Sequence, residues 1–135
     1  MSMNAKFNKR NKGFTIIELM IVLVILAILL AIAYPSYIDY VRKGKRGEAQ
    51  QALLNWAVNL EIYRSNNPNY DAPDATPSDD AFDNYNFVVD PGTNTYLLTA
   101  NAVGDQTKDK ARNGTPCNSL TLDQNGVKLP ADCWE

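Results

Sequence analysis

The sequence has no histidine and only two cysteines, Cys117 and Cys133, among its 135 residues. Neither a metal site that uses histidine nor a Ser–His or Cys–His catalytic pair can therefore be formed. We expect a non-enzymatic protein that uses no cofactor and no metal ion. The length leaves room for one domain of modest size and not for a second.

Negative charge is absent from the N-terminal end of the chain, and positive charge is scarce toward the C-terminal end. Residues 1–13 carry four bases and no acid, whereas residues 70–135 hold eleven acids against four bases. The net charge of -2 hides this asymmetry. We expect the two ends of the chain to face different surroundings.

Polar residues are almost absent from positions 14–34, where Thr15 and Glu18 are the clearly polar ones. A helix of this length spans about 30 Å, which is enough to cross the hydrocarbon core of a bilayer. The bases before it predict a cytoplasmic N-terminus, so residues after Pro35 are expected outside the membrane; these bases are Lys6, Lys9, Arg10 and Lys12. Two cysteines beyond such a segment fit a disulfide formed in the periplasm or at the cell surface.

The helical pattern continues beyond the apolar run. Apolar side chains recur at spacings of three and four up to about residue 65 and predict one stripe of an amphipathic helix. They are Ala49, Ala52, Leu53, Trp56, Leu60 and Tyr63. Pro35 is expected to kink the helix, and Gly44 and Gly47 to weaken it. The prediction is one long helix of about fifty residues with a flexible middle.

The rest of the chain predicts a small sheet. Residues 65–86 are rich in Asn, Asp, Pro and Ser, which is typical of a long exposed loop. Strands are predicted at 86–89, 96–102, 119–123 and 127–129, and Asn125-Gly126 suits the turn of a hairpin between the last two. The fold class is therefore α+β, in which a long N-terminal helix, membrane-spanning in its first half, packs on an antiparallel β-sheet.

One motif carries most of the functional information. Residues 12–20 read Lys-Gly-Phe-Thr-Ile-Ile-Glu-Leu-Met, and the apolar run and Pro35 follow. In this segment the chain resembles the type IV pilin superfamily, most of all its small minor pilins of type IVa. The resemblance implies that a leader peptidase cuts after Gly13, that Phe14 becomes the N-methylated terminus, and that Glu18 is the acidic residue used in assembly.

The resemblance also implies an organisation, partners and a location. The chain is divided into a cleaved leader (1–13), a transmembrane helix that becomes filament core (14–64), and a globular head (65–135). The expected partners are other pilin subunits, a prepilin peptidase and an assembly platform in the inner membrane. The subunit is expected in the inner membrane before assembly, and afterwards in a surface pilus that serves adhesion, twitching motility or DNA uptake.

The chemistry of Glu18 supports the resemblance independently. A carboxylate near the start of a spanning helix costs up to about 2.5–3.5 kcal/mol at mid-membrane. Cleavage after Gly13 would create a cation, the amine of Phe14, and the amine of a neighbouring subunit could neutralise Glu18. The alternative is an uncleaved signal anchor with Glu18 near the membrane interface. Many pilins have glycine at the position of Ala27 and unwind between that point and the proline during assembly. Alanine favours helix by about 0.8–1.0 kcal/mol over glycine, so it disfavours unwinding between Ala27 and Pro35.

The two cysteines are the next feature of the head. Cys117 and Cys133 would close a loop of about 17 residues, which stabilises by roughly 3 kcal/mol on the chain-entropy model. This arrangement resembles the disulfide-bounded C-terminal region of pilins, which is often exposed on the fibre. It serves either as a structural staple or as the frame of a binding surface.

Two groups of bases have alternative interpretations. Lys108, Lys110 and Arg112 form the basic cluster of an acidic head, between two predicted strands. Minor pilins that resemble this chain in the strand 96–100, the turn Gly104-Asp105-Gln106 and the terminal Cys133-Trp134 include DNA-uptake receptors. Such receptors use a basic stripe, but the interleaved Asp105 and Asp109 favour a solvated loop. The second group is expected to meet lipid phosphates, acids of a neighbouring head, or solvent; it comprises Arg42, Lys43, Lys45 and Arg46.

Other functions remain as alternatives. A major pilin shares the same helix motif, and a type II secretion pseudopilin would use the fold to push cargo. A calcium site is one feature of some pseudopilins, but the acids of the long loop do not have EF-hand spacing; they are Asp71, Asp74, Asp79, Asp80 and Asp83. Asn113-Gly114-Thr115 also matches an N-glycosylation sequon.

Overall fold

The computed structural model describes residues 13–71 and 82–134. The four leader bases Lys6, Lys9, Arg10 and Lys12 and the loop acids Asp74, Asp79 and Asp80 lie outside the described residues. The chain forms two compact units, one that ends at Tyr37 and one that begins at Ile38. Each unit is described by itself.

One helix, α1, runs from Ile16 to Asn66 without interruption at Pro35. Thr15 caps its start, because its Oγ1 accepts a hydrogen bond from the backbone N–H of Glu18 at 3.2 Å. A threonine followed three residues later by glutamate is the capping-box pattern of a helix N-terminus. The long helix predicted from the sequence is confirmed.

The N-terminal unit presents its apolar side chains outward. Every described residue from Gly13 to Tyr37 is exposed. By length and composition, the apolar part of α1 can cross a membrane. An apolar helix that the described part of the chain leaves uncovered needs another apolar environment, which a bilayer or other helices supply.

The second unit contains a four-stranded antiparallel sheet in the order β1-β2-β3-β4. The strands are β1 (Tyr85–Pro91), β2 (Tyr96–Ala102), β3 (Ser119–Asp123) and β4 (Lys128–Leu129). Two 3₁₀ turns follow β2 and β4, at Gly104–Lys108 and Ala131–Cys133. The fold class and the bounds of β2 and β3 are as predicted, whereas β1 is longer than 86–89 and β4 is shorter than 127–129.

The core lies between one stripe of α1 and one face of the sheet. The predicted helix stripe is buried except for Tyr63, which is half-buried. The sheet contributes alternate residues of its strands to the same cluster; they are Tyr85, Phe87, Tyr96, Leu98, Ala100, Leu120 and Leu122. Arg46 extends the helix stripe by one turn and is also buried. The expectation that Arg46 meets lipid or a neighbouring head is therefore wrong, because its side chain is inside this head.

The β3–β4 hairpin is present at the predicted place, with a different turn from the one expected. Gly126 has a φ of +77°, whereas Asn125 does not take a positive φ. The backbone N–H of Gly126 donates to the carbonyl of Asp123 at 3.0 Å. Oδ1 of Asp123 also accepts hydrogen bonds from the backbone N–H groups of Asn125 and Val127, at 2.9 and 2.8 Å. A four-residue turn that ends at a left-handed glycine therefore forms here, ordered by the Asp123 side chain.

The predicted disulfide between Cys117 and Cys133 is present and fully buried. It connects the residues before β3 to the end of the second 3₁₀ turn and encloses the hairpin. Its two cysteines belong to the same core cluster as the helix stripe. The C-terminal part of the head is thus closed on itself by a covalent bond.

We expect the double substitution Cys117→Ala and Cys133→Ala to lower the free energy of unfolding of the head by about 3 kcal/mol, since the unfolded chain regains loop entropy. Urea unfolding followed by near-ultraviolet circular dichroism measures this change. Reduced wild-type protein is the control and should unfold at a similar urea concentration. An unchanged midpoint in both samples would contradict the prediction.

Candidate nucleic-acid interface

The loop between β2 and β3 carries the predicted basic cluster. We call residues 104–116 the basic loop. Lys108 ends its 3₁₀ turn, and Lys110 forms a single β-bridge with Pro116. Arg112 is the second residue of a turn that ends at Gly114, which has a φ of +90°. All three basic side chains are exposed. The predicted position in a loop between strands is confirmed.

A groove of about 440 Å³ lies between the exposed side chains of the basic loop and those of α1. Lys108, Lys110 and Arg112 line it on the loop side, and Tyr40 and Lys43 line it on the helix side. We call this the basic groove. Among residues 13–71 and 82–134, Lys43, Lys110 and Arg112 form no ion pair. Their charges are therefore available to an anion from outside the chain.

An exposed set of ion pairs lies at one end of the groove. Nε and Nη2 of Arg42 both donate to Oδ2 of Asp105, at 3.2 and 2.7 Å, and Nη1 donates to Oδ1 of Asp39 at 3.1 Å. Nζ of Lys108 donates to Oδ1 of Asp105 at 2.9 Å. Hydrogen bonds from Lys108 and Arg42 lower the pKa of Asp105. Because Asp39 and Asp105 are exposed, these pairs contribute little to stability.

A second ion pair is buried beneath the groove. Nη1 of Arg46 donates to Oδ2 of Asp109 at 3.0 Å, and the two side chains are 6% and 4% exposed. Burial raises the pKa of Asp109, while the charge of Arg46 and its hydrogen bond oppose the rise. Nε2 of buried Gln106 donates to the backbone carbonyl of Arg42 at 2.9 Å and to Oη of Tyr85 at 3.0 Å. The basic loop is thus bound to α1 by buried polar contacts.

Sequence reasoning did not find Arg46 and Gln106 as parts of this site. The spacing of the helix stripe could have indicated that Arg46 is buried, since Arg46 stands three residues before Ala49 and continues the stripe toward the N-terminus. Gln106 belongs to the turn that resembles DNA-uptake receptors, but nothing in the sequence indicates that its side chain is buried, because a glutamine in a loop is ordinarily exposed. The sequence places Lys43 among the bases that follow the membrane segment, whereas the structure places it in the groove.

The remaining predicted site residues lie in the N-terminal unit. Gly13 and Phe14 precede α1, Glu18 lies in its first turn, and Pro35 lies inside it. The side chain of Phe14 is 84% exposed. Cleavage after Gly13, methylation of Phe14 and the role of Glu18 stay predictions, as does a kink at Pro35.

The structure also describes the N-glycosylation sequon at Asn113 and part of the acidic loop. Oδ1 of Asn113 accepts a hydrogen bond from the backbone N–H of Thr115 at 3.0 Å, and Oγ1 of Thr115 donates to Oδ2 of Asp132 at 3.0 Å. Hydrogen bonds from Asn113 and Thr115 lower the pKa of Asp132.

Within the described ranges, no group of three acidic, histidine or cysteine side chains is placed as metal ligands would be, while part of the acidic loop lies outside those ranges.

A larger groove lies between α1 and the β3–β4 hairpin, with a volume of about 580 Å³. Leu54, Val58 and Ile62 of α1 are exposed along it, and Glu61 and Asp123 are its charged residues. A groove without a base does not favour an anion. The basic groove is therefore the candidate nucleic-acid interface.

Two family models match the sequence. The model described as type IV minor pilin ComP, DNA uptake sequence receptor, matches residues 35–121. The model described as the prokaryotic N-terminal methylation motif matches residues 8–34. The first match includes both walls of the basic groove, and the second includes Gly13, Phe14 and Glu18.

Individual relatives support the same family. The type IV major pilin protein PilE1 of Neisseria gonorrhoeae is 35% identical over 112 residues, which are 76% of this chain and 51% of that protein. The type IV major pilin protein PilA of Myxococcus xanthus is 51% identical over 49 residues, which are 36% of this chain and 22% of that protein. The chain therefore matches about half or less of the length of these relatives.

A solved structure is also similar. The high-resolution structure of a type IV pilin from Shewanella oneidensis aligns with a TM-score of 0.57 and 31% sequence identity. The alignment covers 70% of this chain and 98% of the pilin from Shewanella. The similarity thus extends from the N-terminal motif to the fold of the head.

The burial of Tyr85 leads to a prediction on pH. Burial raises the pKa of Tyr85 from 10.0 to about 12, and burial does the same for Tyr96. Between pH 10 and about 12 the folded head therefore keeps protons that the unfolded chain loses. This contribution to stability is present below pH 10 and is lost as the pH rises toward 12.

The slope of unfolding free energy against pH is set by the number of protons that the chain loses when it unfolds. We expect Tyr85→Phe to lower this number by up to about one in this window. Thermal unfolding followed by near-ultraviolet circular dichroism at several pH values measures the slope. Exposed Tyr40 supplies the matched control, since Tyr40→Phe should leave the wild-type slope unchanged. Equal slopes for the wild type and Tyr85→Phe would contradict the prediction.

Proposed function

Because the chain belongs to the type IV pilin family, we propose that it is a structural, non-enzymatic subunit assembled from the inner membrane into a type IV pilus. The observation that carries this proposal is the methylation motif of residues 8–34, followed by a fully exposed apolar helix and a disulfide-closed head. Residues 1–13 form the leader, residues 14–64 the membrane anchor and later filament core, and residues 65–135 the head. Other pilin subunits are the partners in the fibre.

Processing at the motif prepares the subunit for assembly. A prepilin peptidase removes the leader after Gly13 and methylates the new amine of Phe14. The exposed position of Phe14 before the helix supports this step, because nothing in residues 13–71 and 82–134 covers its side chain. The assembly platform of the inner membrane then receives the mature subunit.

Glu18 directs the subunit into the fibre in this proposal. The capping contact of Thr15 uses the backbone N–H of Glu18 and not its carboxylate. In the described part of the chain the carboxylate of Glu18 has no hydrogen bond and no ion pair. The methylated amine of Phe14 on a neighbouring subunit supplies the cation that neutralises it in the apolar filament core.

We expect Glu18→Gln and Glu18→Ala to insert into the membrane normally and to form few or no fibres, since both variants lack the negative charge. Membrane fractionation measures insertion, and electron microscopy of the cell surface measures fibres. Glutamine keeps the size and hydrogen-bonding capacity of glutamate, so it separates the effect of charge from that of shape. Normal fibres from Glu18→Gln would contradict the role of the charge.

Mass spectrometry of wild-type fibres should find a chain that begins at methylated Phe14, and a retained leader would contradict the processing step.

A minor subunit that binds DNA is the more specific form of this proposal. The family description of a DNA uptake sequence receptor and the basic groove both support it. The groove is more basic than the loop sequence suggests, because the charge of Asp109 is neutralised by Arg46 and because Lys43 adds a base from α1. Exposed Tyr40 also offers an aromatic face next to these bases.

A major pilin is the alternative within the family. The two relatives from Neisseria and Myxococcus are named as major pilins. Major and minor subunits share the helix motif, so the choice depends on the head. The basic groove favours the minor, DNA-binding role, because a subunit that only forms the fibre needs no site for phosphates.

We expect the triple variant Lys108→Glu, Lys110→Glu and Arg112→Glu to bind duplex DNA far more weakly than the wild type. The slope of log affinity against log salt should fall by about three, roughly one for each lost phosphate contact. Fluorescence anisotropy with labelled duplex DNA and the full chain in detergent micelles measures both quantities. The double variant Arg64→Glu and Lys128→Glu is the control, since it changes charge in the same direction outside the groove. Equal losses in the two variants would contradict a site at the groove.

A further inference from the structure

Two arginine–aspartate pairs connect the basic loop to α1 with matched spacing. Arg42 and Arg46 are four residues apart on the helix, and Asp105 and Asp109 are four residues apart on the loop. The outer pair is exposed to solvent at Asp105, whereas the inner pair is buried on both sides. The inner pair is therefore the stronger of the two restraints on the loop.

The buried pair makes separation of the loop from the helix costly. If the loop moved away from α1, either Arg46 or Asp109 would remain buried without its partner, or water would have to enter the core. The outer pair imposes no such penalty, since water can replace either partner of an exposed ion pair. Of the two ion pairs, Arg46–Asp109 is thus the one that restricts movement of the basic loop, together with the buried hydrogen bonds of Gln106.

Asp109 also fixes the direction of its neighbours in the chain. Its backbone N–H donates to the carbonyl of Gln106 at 3.0 Å, and its carbonyl accepts from the backbone N–H of Cys117 at 3.0 Å. The backbone of Asp109 is therefore held on both sides while its side chain points into the core. Lys108 and Lys110, on either side of it in sequence, are exposed and line the groove.

We propose that Arg46 and Asp109 are positioning residues of the basic groove, whose buried ion pair holds Lys108, Lys110 and Arg112 opposite Lys43 as one phosphate-binding surface. The inference rests on the DNA-binding role proposed above. A surface that is already arranged before DNA arrives avoids the entropy cost of ordering a loop on binding. The pair contributes to affinity through the geometry of other side chains and makes no contact with DNA itself.

The proposal predicts an effect opposite to that of charge alone. Asp109→Asn removes a negative charge from the wall of the groove, so electrostatics without positioning would make the protein bind DNA more tightly. Under the proposal the variant binds more weakly, because Arg46 loses its partner and the loop is no longer held. Asp39→Asn is the matched control: it removes an exposed acid from the same groove and should bind at least as tightly as the wild type.

A second variant removes the remaining ambiguity about charge and folding. Arg46→Met together with Asp109→Leu replaces the buried pair by apolar side chains and leaves the net charge unchanged. Such replacements are often tolerated by a protein core, so the sheet and its packing on α1 should persist. Any loss of DNA affinity in this double variant cannot come from a change in total charge.

The experiment uses the full chain in detergent micelles and a short labelled duplex DNA, with fluorescence anisotropy measured over a series of salt concentrations. For Asp109→Asn and for the double variant we expect affinity about tenfold lower and a salt slope lower by about one to two. Hydrogen exchange supplies a structural readout: the amides of Asp109, Ala111 and Cys117 should exchange faster, while those of Leu98 and Leu122 in the sheet stay protected.

The outcomes separate this inference from the function on which it rests. If the wild type binds DNA and Asp109→Asn binds as tightly or more tightly, the positioning role is overturned and DNA binding stands. If the wild type does not bind DNA, both are overturned. If the double variant keeps its affinity and its salt slope while amide exchange in the basic loop is unchanged, the pair does not hold the loop and the inference fails.

Discussion

The contact between one stripe of α1 and the inner face of the sheet is the interaction on which the head depends. Leu53, Trp56 and Leu60 are buried against alternate residues of β1, β2 and β3, and burial of apolar surface is the main source of stability in a domain of this size. The disulfide belongs to the same core and closes the C-terminal hairpin over it. Both the sheet and the loops at its ends are therefore positioned relative to one helix face.

The basic groove is a consequence of that arrangement. Because α1 and the sheet share a core, the connection between β2 and β3 comes to lie beside the helix residues just before the apolar stripe. There the contacts change from apolar to polar, with Gln106 and the pair Arg46–Asp109 buried and the lysines exposed. The polar contacts hold the loop in one place, and the exposed bases give that place a charge suited to phosphates.

The same helix carries two different surfaces in this chain. Up to Tyr37 its side chains are exposed and almost all apolar, whereas from Ile38 onward it has a buried stripe and an outer face. An apolar surface on all sides suits a bilayer or the centre of a fibre, and a single stripe suits packing on a sheet. One helix can thus connect an anchor to a displayed head, which is what the proposed pilus subunit requires.

Much of this architecture followed from local patterns in the sequence. The long helix, the strands β2 and β3, the hairpin at Gly126 and the disulfide were predictable, because they depend on periodicity, turn residues and the presence of only two cysteines. The basic cluster was also visible in the sequence, but the groove that it forms with Lys43 was not, since Lys43 is far from Lys110 in sequence. The burial of Arg46 and Asp109 could not be foreseen either, because a charged side chain is ordinarily exposed. Only the tertiary structure could bring the bases to one groove and bury Arg46 against Asp109, because a long-range ion pair leaves no periodic trace along the chain.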